Sequence, residues 1–116
     1  MQYLLTIYDN EARAAANPPT PEAMQEWFAF TESIKSTGHY VGGNALQPTA
    51  VATSVRVRDG QTLLTDGPFA ETREQLGGYY LVEAANLDEA TAIAARIPSA
   101  RTGTIEVRPI MVIPGA

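Results

Sequence analysis

Cysteine is absent from the 116 residues. That excludes disulfides, thiolate metal sites and a cysteine nucleophile at once. Histidine is almost absent: His39 stands alone, and one imidazole cannot build a multi-histidine metal centre. A transition-metal site would need carboxylates, which suit magnesium or calcium instead, so neither a metal nor another cofactor is expected. Positive charge is scarce as well. Eight Lys and Arg against thirteen Asp and Glu leave a net charge of -5, and the field that draws a phosphate backbone is missing. Nucleic acid is not an expected ligand. No apolar run approaches the roughly 18 residues of a membrane span. The opening "MQYLLTIYDNEA" also lacks the basic segment and long apolar core of a signal peptide, so the expected setting is the cytoplasm.

What is present is an ordinary globular balance, 45% hydrophobic and 18% charged, in a chain of the length of one domain, residues 1–116. "QYLLTIY" from Gln2 to Tyr8 reads as a strand ended by Asp9-Asn10. The next stretch, "NEARAAANPPTPEAM", holds Pro18, Pro19 and Pro21 and reads as a loop. Thr20 and Pro21 are an N-cap and a first helical residue, and Met24, Trp27, Phe28 and Ile34 recur at helical spacing until Gly38. "HYVGGNALQP" predicts a brief strand and turn. Val51–Arg58 and Gln61–Thr65 predict a hairpin around Asp59-Gly60. After Asp66-Gly67-Pro68, a charged piece predicts one helical turn, and "GGYYLVEAA" a strand. "NLDEATAIAARIP" predicts the second long helix, capped by Asn86 and stopped by Pro98. "GTIEVRPIMVI" predicts a last strand whose ladder Pro109 interrupts, which suits an edge or a bulge.

This order predicts an α+β fold of the ferredoxin-like, split βαβ kind with an inserted hairpin and both long helices on one sheet face. The other face, assigned Leu4, Val57, Tyr80 and Val82, needs a cover, and a homodimer supplies it.

The run "TDGPFAETREQLGGYYL", with "YLLTIY", "GGNALQP", "LDEA" and "EVRPI" around it, resembles the YCII-related family, in particular its subgroup named for the tetrapeptide that stands here as Asp66-Gly67-Pro68-Phe69. The resemblance covers nearly the whole chain. It implies a dimeric α+β barrel, often encoded near alternative sigma factors, with no established reaction. In better-studied relatives a histidine in the first long helix and an aspartate near the central loop were proposed as an acid/base pair. Trp27 stands near the histidine's position here, and only the aspartate carries over, as Asp66.

Asp66 is accordingly the candidate acid/base residue, its carboxylate raised in pKa if it points into a cavity. The alternative is a turn cap that accepts nearby backbone N–H groups. Arg73 is a candidate anion clamp oriented by Glu71 or Asp66, or else part of a solvated cluster. Tyr79 and Tyr80, adjacent in a strand, must face opposite ways, and one of them should line a ligand or dimer cavity. Trp27 is a ligand platform or core. His39 lies just past a helix C-terminus and has no evident partner. The glycine pairs at 42–43 and 77–78 lack the order of a phosphate-binding fingerprint and read as bulges or close backbone approaches. Two function classes follow: a non-catalytic accessory protein serving a regulatory protein partner, and a small-molecule binder or enzyme with its pocket at the Asp66 loop.

Overall fold

A computed structural model describes residues 1–116. Strand β1, Gln2–Asp9, alternates inward Tyr3, Leu5 and Ile7 with the half-exposed Leu4, Thr6 and Tyr8, the period of a sheet covered on one side. Helix α1, Glu11–Ala16, follows, then α2, Pro21–Ser36; strand β2 is Tyr40–Ala45. Strands β3, Thr53–Arg58, and β4, Gln61–Asp66, form a hairpin; β5, Gln75–Glu83, leads to helix α3, Leu87–Ala95, and β6, Thr104–Pro109, ends the order. The main sheet runs β2-β5-β1-β6, all pairs antiparallel, while β3 and β4 make a separate two-stranded sheet. This is the ferredoxin-like arrangement with an inserted hairpin. No helix is long and apolar enough to cross a membrane.

Local chemistry explains the elements. Thr20 accepts a hydrogen bond from the Ala23 amide at 3.1 Å and Pro21 opens α2, so an otherwise orphaned amide is satisfied. Asn86 does the same for α3 through the Glu89 amide at 2.9 Å. Asp59 and Gly60 both have positive φ, 52° and 75°, the two-residue turn that suits the twist of a hairpin. Phe30 and Ile34, one turn apart on α2, meet Leu5, Val82, Ala90, Ile93 and Ile97 in a core of 11 buried residues. Val107 and Ile105 pack against it from β6, which is an edge strand as Pro109 requires.

Three expectations need correction. The segment expected as loop contains α1: its prolines begin only at Pro18, and Asn10 caps the alanine-rich run before them by accepting from the Arg13 amide. The piece after Pro68 is not a helical turn, because Thr72 and Gln75 side chains bond the carbonyls of Glu74 and Thr72 instead. Tyr80 and Val82 face the helices rather than the open side. Strand register decides this, since Val82 pairs with Tyr3 and Tyr80 with Leu5. Val57 lies on the hairpin, so the open face carries Leu4, Thr6, Tyr79 and Leu81.

A polar latch joins the C-terminus of α2 to α3. Glu89 Oε1 accepts from the Ala85 amide at 3.1 Å and from His39 Nε2 at 3.0 Å, and Thr37 Oγ1 lies 2.7 Å from His39 Nδ1. The Ala85 bond first, then His39, hold the Glu89 carboxyl below its ordinary value.

Two measurements check this account. Ile34→Ala, at a fully buried position, should cost about 2–5 kcal/mol in a denaturant titration. A carboxylate with a depressed folded pKa adds stability above its unfolded value, near 4.5, and loses it as pH falls through the folded one. Glu89→Gln should therefore be less stable than wild type at neutral pH, and the gap should close in acid. A gap independent of pH would refute the latch.

Candidate functional site

A hollow lies between α2 and the edge of the sheet, a cavity of about 660 Å³. Its floor is made by Ile7, Gly43, Ala45, Gly78 and Tyr80, and its roof by Met24, Trp27, Phe28, Thr31 and Lys35. Asp9 and Ser99 also line it. Two of the five floor residues are glycines. At Gly43 a Cβ would sit 2.9 Å from the Tyr80 ring and 2.9 Å from the Tyr79 carbonyl oxygen, so glycine lets that ring lie against β2. At the other pair, β1 skips Gly77 in a bulge between Ile7 and Tyr8.

Tyr80 is the polar centre of this wall. Its ring stands edge-on to Phe30 at 5.3 Å and to Tyr40 at 6.3 Å. Its hydroxyl lies 2.7 Å from Thr31 Oγ1, and Thr31 Oγ1 donates its one proton to the Trp27 carbonyl at 3.0 Å. The Tyr80 hydroxyl must then be the donor to Thr31, and its oxygen keeps its lone pairs for another group. Burial raises the Tyr80 pKa above the ordinary phenol value, the Thr31 bond opposes that, and Tyr40 adds to it. The phenol stays neutral at physiological pH. Ser99 Oγ, another lining residue, is buried with no hydrogen-bond partner. The Asp9 carboxylate is already committed to Arg13, the Asn10 amide at 2.8 Å and Thr102 Oγ1 at 2.8 Å. Lys35 sits 5.1 Å above the Tyr40 ring.

The residues singled out in the sequence divide into two groups. Trp27, Tyr79 and Tyr80 border the cavity. The Tyr79 ring belongs to the open face, where its hydroxyl accepts from Asn44 Nδ2 at 2.8 Å. Asp66, Glu71 and Arg73 are exposed and lie outside the cavity. Asp66 faces Thr53 across the hairpin. The loop beyond it is held by the Gly67 amide on the Ala52 carbonyl at 2.6 Å and Ser54 Oγ on the Gly67 carbonyl at 2.8 Å. The carboxylate of Asp66 accepts no bond there. No group of three or more acidic or imidazole side chains is gathered as a metal site would need.

Thr31, Lys35 and Ser99 escaped the sequence reading. Thr31 and Lys35 follow Trp27 at intervals of four along α2, so helical spacing shared with Trp27 was the available signal. Nothing in the sequence marked Ser99.

Comparison with known proteins agrees with this architecture. The YCII-related domain family matches residues 1–114. An uncharacterized protein of Rhizobium meliloti (strain 1021) is 36% identical over 114 residues, spanning 95% of this chain and 92% of its own. Among solved structures, the 5-chloro-2-hydroxyhydroquinone dehydrochlorinase of Burkholderia phenoliruptrix, in complex with 2,5-dihydroxybenzoquinone, superposes with a TM-score of 0.56. It covers 96% of this chain and 94% of its own at 13% identity, a likeness of fold.

An alkaline absorbance titration should find one of the five tyrosines ionising above the ordinary phenol range. That step should vanish in Tyr80→Phe. Its persistence in the variant would show that the hydroxyl chain under α2 is not formed.

Proposed function

This chain belongs to the YCII-related family, and we propose that it binds a small aromatic molecule carrying a hydrogen-bond donor in the cavity beneath α2, without turning it over. The observation that carries the reading is the direction of the hydroxyl chain from Tyr80 through Thr31 to the Trp27 carbonyl. Because both protons are spent along that chain, the Tyr80 oxygen meets a ligand as an acceptor. A phenol or aryl amine satisfies it; a carboxylate brings only acceptors to that oxygen, and the Lys35 ammonium in the roof is already paired with Glu32 at 3.9 Å and held over the Tyr40 ring. The aromatic and apolar walls from Met24, Trp27, Phe28 and Tyr40 supply the contact area, as in most small-molecule sites. The similarly folded dehydrochlorinase was captured with a small hydroxylated ring, a ligand of the size and polarity this reading calls for.

Binding without turnover rests on what lines the wall. An indole, Trp27, which exchanges no proton, stands near the place of the family's proposed histidine. Asp66 lies outside the cavity, Asp9 is fully engaged, and Glu32 on the lining is paired with Lys35 at 3.9 Å. This joins the two function classes raised by the sequence, an accessory protein that senses a small molecule.

Trp27 is the only tryptophan and lines the cavity, so its fluorescence reports occupancy. Phenol and aniline should quench it, toluene more weakly by about two- to tenfold in Kd, the worth of one neutral hydrogen bond. Benzoate should not bind. Tyr80→Phe should erase the preference of phenol over toluene. Equal binding of benzoate and phenol, or no response to any of the four, would overturn the proposal.

A further inference from the structure

We propose that a hollow between α2 and the end of α3 is a second binding site, which takes the phosphate group of a small molecule between Arg96 and Arg101. This holds whatever the cavity beneath α2 binds.

The hollow has a volume of about 440 Å³, room for a phosphate group and a small body attached to it. Glu26, Ala29, Phe30 and Ser33 line it from one side of α2, at the spacing of successive helical turns. Arg96, at the end of α3, and Arg101, in the turn Pro98–Arg101, line it from across. Arg96 touches α2 at Ser33 and Arg101 touches it at Glu26. Midway between those two contacts stands Ala29, exposed and carrying only a methyl group.

Both guanidinium groups are held by uncharged partners that leave donors over. Arg96 donates to Ser33 Oγ and lies 5.5 Å from the centre of the Phe30 ring. It pairs with no carboxylate. Arg101 Nε donates to the Pro98 carbonyl at 3.2 Å, which fixes its stem. Its other contact is Glu26 Oε1 at 2.5 Å, but both side chains of that pair are well exposed, 67% for Arg101 and 45% for Glu26. An ion pair so open to water contributes little, so Glu26 is readily displaced by a stronger anion.

Two guanidinium forks on one hollow select the shape of the anion. A carboxylate has two oxygens, and a single fork uses both, whereas a tetrahedral phosphate presents oxygens to two forks at once. Its charge of about −2 also matches two cations. The chain as a whole carries -5, so an anion is drawn here by these two groups and not by a general field. The end of α3 offers carbonyls rather than amides, which leaves the arginines to do the holding.

The probe is inorganic phosphate, titrated into isotope-labelled protein at constant ionic strength and followed by amide chemical shifts. Ser33, Arg96 and Arg101 should shift and saturate, and acetate should bind far more weakly. Arg96→Gln and Arg101→Gln should each weaken phosphate binding by about tenfold, the loss of one charge-assisted hydrogen bond. Arg73→Gln, which removes the same charge outside the hollow, should bind as wild type does. Glu26→Gln frees Arg101 and should tighten binding. Ala29→Leu, a good helix former at an exposed position, should abolish binding with both arginines in place, and keeps the test decisive if an arginine variant fails to fold. Shifts that do not saturate or that acetate reproduces, Arg96→Gln binding no more weakly than Arg73→Gln, Glu26→Gln binding no more tightly than wild type, or undiminished binding in Ala29→Leu would each overturn the proposal.

Discussion

No side chain fits at Gly43, because a Cβ there would press on both the Tyr80 ring and the Tyr79 carbonyl. That single exclusion lets the Tyr80 ring lie flat enough to reach under α2, touch Phe30 edge-on and hand its proton to Thr31. Helix α2 is consequently clamped to the sheet along its C-terminal half, where Phe30 and Ile34 are buried. Its N-terminal half stands off. Met24, Trp27 and Phe28 there overhang a floor of Ile7, Gly43, Ala45 and Gly78, and the gap between them is the cavity. Core, hollow and polar anchor thus follow from one close approach of backbone to ring.

Where a local rule decided the outcome, the sequence was legible. Caps at Thr20 and Asn86, the Asp59-Gly60 turn, the edge position of Pro109 and the opposed directions of Tyr79 and Tyr80 each depend on a few neighbouring residues, and each stands in the structure. The element order was enough to specify the ferredoxin-like sheet. Which way Tyr80 pointed was not local. It depended on pairing with Leu5 some 75 positions earlier, and a slip of one residue would have reversed it. The α1 helix was hidden for a different reason, since three prolines drew attention from the six residues before them.

The site was legible only in pieces. Trp27 and Tyr80 were marked by being aromatic, but Thr31, whose hydroxyl links the Tyr80 phenol to the Trp27 backbone carbonyl, looked like any helical threonine. The Asp66-Gly67-Pro68-Phe69 stretch drew attention by its composition. In the fold it forms the root of the hairpin, with Gly67 bonded back to Ala52 and Ser54. A stretch with more polar residues than a turn requires thus sits where the hairpin leaves the domain.

Strand β1 has a consequence for how the chain reaches this state. It lies in the middle of the sheet, between β5 and β6, so both of its neighbours come from the last half of the chain. A ribosome therefore delivers Tyr3, Leu5 and Ile7 long before anything can pair with them, whereas α2 and the hairpin close over short loops soon after they emerge. The most deeply buried strand is the one that must wait longest, and the nascent protein carries an unpaired apolar ribbon until β5 arrives to zip along it.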